Sequence, residues 1–411
     1  MLTRHPSGRP EHSDVIVVGA GVVGAACAYY ASLSGLRVTV IDRGPVAGGT
    51  TGAGEGNLLV SDKEPGPELE LALLSARLWR ELATGPPARN EAHTASRLKS
   101  RIESRFEYER KGGLVVASTE AEMTALRKFA AGQKRAGVEA IEVPADGLAA
   151  LEPHLAPDLA GGFHYPQDAQ VQPALAAAHL LKAAADMGRL TLRLGEEVTA
   201  VLTGPNGEVR GVRTPAGDAK APHVVNAAGA WGGQLARLAG TELPVLPRRG
   251  FVLVTEPLPR VVRHKVYSAD YVADVTSGSA GLQTSAVVEG TPAGPVLIGA
   301  SRERVGFDRA LNLEALRRLA AQATRLFPAL AEVRAIRTYA GFRPYLPDHL
   351  PAIGPDPRAP GLLHACGHEG AGIGLAPATG MLIAAMLTSR EPPLPAAPFA
   401  PERFAERAAT G

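Results

Sequence analysis

Cysteine is scarce: Cys27 and Cys366 are the two in 411 residues, and they lie far apart in the chain. Neither a disulfide framework nor a metal-ligand spacing can be built from them. Aromatic residues are also few, at 5%. No charge sign dominates, since 43 Lys and Arg against 41 Asp and Glu leave a formal net charge of +2. The basic residues are scattered, and no run of them is long enough for a nucleic-acid or anionic-membrane footprint. Long hydrophobic runs are missing too. VIVVGAGVVGAACAYYA is broken by glycines, and GMLIAAML is too short to span a bilayer. The opening MLTRHPSGRPEHS is polar, holds two prolines and lacks the apolar centre of a signal peptide, so residues 1–13 read as a disordered leader. The expectation is a cytoplasmic protein without a transmembrane segment.

What is present is ordinary globular material, 45% hydrophobic and 20% charged, enough for two domains. Glycine (46) and proline (34) are plentiful, and much of the glycine falls in specific turns rather than repeats. DVIVVGAGVVGAACAYYASLSGLRVTVIDRG reads as strand, glycine turn, helix and strand, a βαβ unit beginning at Asp14. LELALLSARLWRELA, VQPALAAAHLLKAAADMG and the stretch from Leu311 to Phe327 carry helical periodicity. TLRLGEEVTAVLTGPNGEVRGVRTPAG alternates around a Pro-Asn-Gly turn, HVVNAAGAW holds an apolar strand, and Leu243 to about Arg304 is strand-rich. Dinucleotide-type pieces thus stand at the start, middle and end, with strand-rich inserts between them. The pattern predicts an α/β protein: a Rossmann-type nucleotide-binding domain interleaved with an α+β substrate domain built on a large, mostly antiparallel sheet. The expected division is 14–82, 143–240 and 340–395 for the first domain, 83–142 and 241–339 for the second, and 396–411 as a tail.

Gly19-Ala20-Gly21-Val22-Val23-Gly24 fits GxGxxG between a strand and a helix. Such glycines permit the tight turn, close approach of a pyrophosphate and close helix–strand packing, while the helix N-terminus supplies N–H groups and positive dipole. Asp42 ends the second strand at the spacing of a carboxylate that bonds a ribose hydroxyl. A glycine turn that binds nothing is the plain alternative. NAD and FAD share the adenosine pyrophosphate, but an extended FAD needs further backbone contacts. GGTTGAGEGN, with the hydroxyls of Thr50 and Thr51, suits that need. HACGHEGAGIGLAPATG adds a second glycine-rich strand-to-helix turn whose N–H groups suit negative charge on a reduced flavin. The cofactor expected is FAD.

YAGFRPYLPDHLPAIG fixes one guanidinium, Arg343, among aromatics, prolines and glycines. A planar fork of donors in a dry, rigid setting can grip a carboxylate bidentately. The alternative is a structural arginine paired with a local acid such as Asp348. Tyr267 and Tyr271 are an i, i+4 aromatic pair, which suits either packing or a pocket wall. His368 and Asn57 are candidates to face the flavin, each with a structural alternative. Glu55 either bonds a cationic substrate amine or caps its turn, and Arg302 reads as structural.

In their order, GAGVVG, the acidic strand end, GTTGAGEGN, VNAAGAW, the FRP string and GHEGAGIG resemble the D-amino-acid oxidase family of FAD enzymes. That family includes glycine and sarcosine oxidases and D-hydroxyproline and opine dehydrogenase subunits. The resemblance covers about Asp14 to Leu387. It implies that Arg343 grips the substrate carboxylate and that Tyr267 and Tyr271 match the family's active-site tyrosine pair. With the turns above, it adds Arg43, Gly49, Gly56, Asn57, Val198, Ala228, Gly229, Gly341, Gly370, Ala371, Gly372 and Ile373 to the FAD-binding residues. GEGNLLVSDKEPGPELELA and LIGASRERVGFD are similar to the opine and hydroxyproline dehydrogenase branch. In monomeric sarcosine oxidases a cysteine near the start of the segment matching Gly341 to Pro344 tethers the flavin. Gly341 falls there, so FAD is expected to be non-covalent. The implied reaction is hydride transfer from the carbon of a C–N bond in a D-amino acid, glycine, sarcosine or D-proline type substrate. Electrons would pass to oxygen or to an accepting partner, and homo- or hetero-oligomers are open. A non-catalytic flavoprotein subunit is the remaining alternative.

Overall fold

A computed structural model of the chain describes residues 13–84, 106–275 and 278–404. The expected leader therefore lies outside the described residues apart from Ser13, and residues 85–105 of the expected substrate segment lie outside them as well.

The apolar strand Val15–Val18 pairs in parallel with Val38–Asp42 on one side and His223–Asn226 on the other. Leu190–Leu194 and Leu362–Cys366 extend this sheet in parallel, and Ala352–Pro355 closes one edge antiparallel, giving six strands. All four residues of Val15–Val18 are buried, as a strand covered on both faces requires. One covering layer is the helix Val22–Leu33, whose small residues Gly24, Ala25, Ala26 and Ala28 are buried. Against it runs the helix Gly372–Leu387. The crossing is close: a Cβ on Gly380 would fall 2.6 Å from the backbone carbonyl of Ala26.

The second sheet has eight strands in the order Ala335–Tyr345, Leu246–Thr255, Val296–Arg302, Gln283–Gly290, Lys265–Ser268, Gly113–Ala117, Gly161–Tyr165 and Ile141–Pro144. Only the pairing of Lys265–Ser268 with Gly113–Ala117 is parallel. The helix Leu313–Leu326 packs on this sheet with a stripe of Ala315, Leu319, Ala323 and Leu326, and its N-cap Asn312 accepts the Ala315 N–H at 3.1 Å. The α/β class and the large, mostly antiparallel sheet agree with the expectation.

Sheet membership departs from the expected division in two places. Ile141–Pro144 pairs with Gly161–Tyr165, which pairs in turn with Gly113–Ala117, so both belong to the large sheet although 143–240 was assigned to the nucleotide domain. Likewise Ala335–Tyr345, which the boundary at 340 would split, is one strand paired along Leu246–Thr255. Alternation within a strand reports which face is buried but not which strand lies beside it. The expected tail is packed as far as Phe404: Phe399 and Phe404 are buried, and Arg403 pairs with Asp348 at 2.7 Å.

Candidate active site

A cavity of about 590 Å³ lies where the carboxyl ends of the parallel strands meet the large sheet, the position that open parallel sheets offer to ligands. Gly19 sits at φ +119°, and a Cβ there would fall 2.3 Å from the Ala227 carbonyl oxygen. A Cβ on Gly24 would fall 2.0 Å from the Gly19 oxygen. Both glycines are demanded by the protein's own backbone. Gly21 differs, since a Cβ there would meet only Thr51 Oγ1 at 3.1 Å. Gly21, Val22 and Val23 line the cavity, whereas Ala20 and Gly24 are not among its walls. The helix start is capped by no side chain of Gly21, so its positive end faces the cavity.

Asp42 is held in place by two backbone donors, Ala20 N–H to Oδ2 and Gly44 N–H to Oδ1, both at 2.7 Å. A carboxylate has about four lone-pair sites, so capacity for ribose hydroxyls remains. Arg43 lies with its guanidinium carbon 4.4 Å over the Trp231 ring and pairs with Glu197 at 3.2 Å. Val198, Ala228 and Gly229 line the same cavity. Trp231 lines it as well and stacks on Phe307 at 5.0 Å, a wall that the sequence motif contained but the residue assignments passed over.

The glycine-rich loop behaves differently from the expectation in its hydroxyls. Thr51 Oγ1 accepts the Val22 N–H at 3.0 Å, and Thr50 Oγ1 donates to the Phe342 carbonyl at 2.5 Å. Both hydroxyls brace the loop. Gly49, Gly56 and Asn57 line the cavity, and Gly56 at φ +103° cannot carry a Cβ, which would fall 2.0 Å from the Val171 oxygen. Gly341 faces Ala53, whose Cβ would be 2.7 Å from an added Cβ, and it pairs across strands with Gly250. Gly250 makes room for the Arg343 guanidinium, whose Nη1 would lie 2.1 Å from an added Cβ. Gly250 was missed because only the strand register reveals it. Gly370, Gly372 and Ile373 line the large cavity, while Ala371 lines a smaller adjoining one of about 200 Å³.

At the other end stands Arg343. Its Nη1 donates to the Ser301 carbonyl at 2.7 Å, and among the described residues it has no carboxylate partner. Asp348, the local acid that would have made it structural, is bound by Arg403. Burial, and then the neighbouring charge of Arg302, push the Arg343 pKa below its ordinary value. Tyr271 lines both cavities. Tyr267 does not line either: it is fully buried, and its hydroxyl bonds Ser61 Oγ, which in turn donates to Asp168. The ring of Tyr267 supports Tyr271 edge-on at 5.0 Å. His368 lines both cavities. The Thr379 hydroxyl donates to the Leu375 carbonyl at 2.9 Å, so His368 Nε2 donates to Thr379 Oγ1 at 3.0 Å. Burial lowers its pKa to about 3, which keeps the ring neutral. Among the described residues, two acceptors in the large cavity have no partner, Glu55 Oε1 and Asn57 Oδ1. Among the described residues no group of side chains is suited to a metal, and no helix is long and apolar enough to cross a membrane.

Residues 14–386 match the family described as DAO, FAD dependent oxidoreductase, and the chain belongs to it. The hydrogen cyanide synthase subunit HcnC of Pseudomonas aeruginosa is 30% identical over 421 residues, which cover 95% of this chain and 96% of that one. The glycine oxidase of Pseudomonas aeruginosa is 31% identical over 406 residues, covering 94% of this chain and 98% of that one. Among solved structures, L-proline dehydrogenase from P. horikoshii is similar with a TM-score of 0.84 and 25% identity, covering 97% of this chain and 99% of that one. The protein is an FAD-dependent oxidoreductase, and its residues fit the cofactor. Gly21 has only the Thr51 hydroxyl near its Cβ position on the cavity side, and Asp42 is preset with lone pairs to spare.

Proposed function

We propose that the protein oxidises the C–N bond of a small amino or imino acid by removing hydride from its α-carbon. The observation that carries this reading is the Arg343 guanidinium, half-buried in the cavity wall and without a carboxylate partner among the described residues. A cation held partly out of water without a partner is costly, and a substrate carboxylate would relieve that cost with two parallel hydrogen bonds. Glu55 Oε1, also unpartnered at the same cavity, supplies an acceptor for the substrate N–H. The substrate reacts as the neutral amine, whose lone pair drives hydride out of the carbon. Bound FAD supplies the hydride acceptor. His368, held neutral, adds no charge to oppose the electron-poor carbon, and Tyr271 closes the wall between the two cavities. Positioning does most of the work. Water then hydrolyses the imine to an oxo acid and ammonia or an amine.

FAD is bound non-covalently in this reading. Cys366 lines the cavity, but burial pushes its thiol pKa to about 12, which withholds the thiolate needed for attack. Nucleotide and substrate units are interleaved, with the division following the two sheets. The electron acceptor is oxygen or a partner protein; similarity to a subunit of hydrogen cyanide synthase favours the partner. The deciding test is anaerobic incubation of the purified yellow protein with D-, L- and N-methyl amino acids. Bleaching by any of them supports the reading. Full colour with the whole panel, beside normal bleaching by dithionite, would overturn it. Acid precipitation should release the colour into the supernatant.

A further inference from the structure

Arg302, at the end of the strand Val296–Arg302, is a second guanidinium without an ion-pair partner among the described residues. It is 5% exposed, lines the smaller cavity, and has its guanidinium carbon 4.8 Å over the ring of Tyr271. Among the described residues it makes no ion pair and no hydrogen bond. Most acids nearby are committed elsewhere, and Glu64, which also lines the smaller cavity, is exposed to solvent. Glu303 and Asp308 bind Arg249, and Glu369 binds Arg248 and His349. Asp62 binds Lys63, and Asp348 binds Arg403. Glu68 shares the cavity, but burial favours its neutral form.

Arg302 and Arg343 are close to one another. Arg343 donates to the carbonyl of Ser301, the residue before Arg302, and each guanidinium borders a cavity that has Tyr271 in its wall. The two cavities also share His368, Glu369 and Gly370. Two guanidiniums so placed, one buried and one half-buried, repel unless anions come between them. The acceptor Glu55 Oε1, without a partner among the described residues, lies in the larger cavity. The set therefore complements two carboxylates and one N–H donor.

We propose that the substrate is an amino or imino acid with two carboxylates, one held by Arg343 in the larger cavity and the other by Arg302 in the smaller. The proposal rests on the reading of Arg343 as the anchor beside the reacting carbon, and it adds the second arm. Tyr271 would lie against the chain that joins the two carboxylates, since its ring already carries Arg302 on one face.

The test uses the FAD-loaded protein and paired ligands that differ by one carboxylate. Sarcosine and alanine of either hand are compared with iminodiacetate and with aspartate and glutamate of either hand, in anaerobic flavin reduction. The best dicarboxylate should show an apparent Kd lower than the best monocarboxylate by on the order of tenfold or more, the factor expected from a charge-assisted hydrogen bond. Oxydiacetate against methoxyacetate, neither of which has a C–N bond to oxidise, should show the same preference in the perturbation of flavin absorbance. In Arg302→Gln the ratio of dicarboxylate to monocarboxylate affinity should fall toward one, and Arg302→Lys should recover part of it. Equal affinities in the wild type, or an Arg302→Gln variant that weakens both ligand classes alike and melts earlier, would overturn the proposal while leaving the amino-acid reading intact. If no compound with a C–N bond bleaches the flavin, both readings fall together.

Discussion

The two ends of the large cavity are built on opposite rules. At the nucleotide end nearly every polar group that matters is already bonded to the protein: Asp42 takes two backbone N–H groups, Thr51 takes Val22 N–H, and Thr50 donates to Phe342. At the substrate end Arg343, Arg302, Glu55 and Asn57 keep charge or lone pairs without partners among the described residues. The first end is a preformed mould, stable with or without its ligand. The second holds polar groups whose cost is relieved only when something binds. The difference separates a cofactor that stays from a substrate that must come and go.

Breaking the mould should have the largest effect. A Cβ on Gly24 would fall 2.0 Å from the Gly19 oxygen, so Gly24→Ala has to move the turn that faces the pyrophosphate. Overpacking of this kind costs about 1–3 kcal/mol and sometimes more, and here it displaces the binding surface itself. The variant is expected to purify colourless or insoluble. A yellow Gly24→Ala with normal FAD affinity in a titration of apo-protein would show that the turn has slack.

Next comes Arg343. Removing it should leave the mould untouched, so Arg343→Ala should stay yellow, melt normally and be reduced by dithionite. Reduction by its amino-acid substrate should lose roughly 3–5 kcal/mol of transition-state stabilisation, because the substrate carboxylate is left desolvated and unpaired. Arg343→Lys should recover little, lysine being a point charge without the two-pronged fork. Stopped-flow reduction beside a melting curve checks this. Loss of FAD together with activity would make Arg343 part of the mould and blur the comparison.

How far the sequence spoke follows the same divide. Gly19, Gly21, Gly24 and Asp42 were legible because a nucleotide turn constrains residue type at fixed spacing. Arg343 was legible through its rigid, apolar neighbours and the family string around it. Its lack of a partner was not, since that depends on Arg403 arriving from sixty residues further on to take Asp348. Arg302 reads as structural in the sequence, and its lack of an ion pair among the described residues emerges only from the fold, which turns the adjacent Glu303 to Arg249. Tyr267 shares the spacing of a pocket pair with Tyr271, but the strand Lys265–Ser268 turns its hydroxyl inward to Ser61. Gly250 gains meaning only from its register opposite Gly341. Partnership is a tertiary property, and spacing reports only the capacity for it.

Asp42 sharpens the comparison at smaller scale, because it serves both protein and ligand. Asp42→Ala deletes two backbone hydrogen bonds and the acceptor for the ribose. FAD binding should weaken by about 1.5–3 kcal/mol, the worth of hydrogen bonds to a charged group. Asp42→Asn keeps one carbonyl acceptor and should fall between the two. Titration of the apo-protein with FAD gives the order. Equal affinity in all three would mean that the ribose is held elsewhere.

The smallest effect is expected behind the site, where the two ends are joined. Asp168 accepts from Val60 N–H at 2.8 Å, from Ser61 N–H at 3.3 Å and from the Ser61 hydroxyl, which also receives the Tyr267 hydroxyl. It thus ties the segment after the glycine-rich loop to the strand that carries Tyr267. Burial pushes its carboxyl from the usual 3.8 up to about 7, against the opposing pull of those hydrogen bonds. The sign follows from proton counts. Between these two values the folded chain keeps a proton that the unfolded chain has released. The stability this contributes is fully present below the unfolded pKa and is lost as pH rises through about 7. Asp168→Asn fits the same partners, because its oxygen can accept from Val60 and Ser61 N–H while its amide donates to Ser61 Oγ. It removes the titration. Between pH 5.5 and 8.5 the wild type should therefore lose a few degrees more of melting temperature than Asp168→Asn, with FAD content equal in both. Parallel melting curves across that range would mean that the carboxylate is stabilised in place. The link between the two ends would then be insensitive to pH.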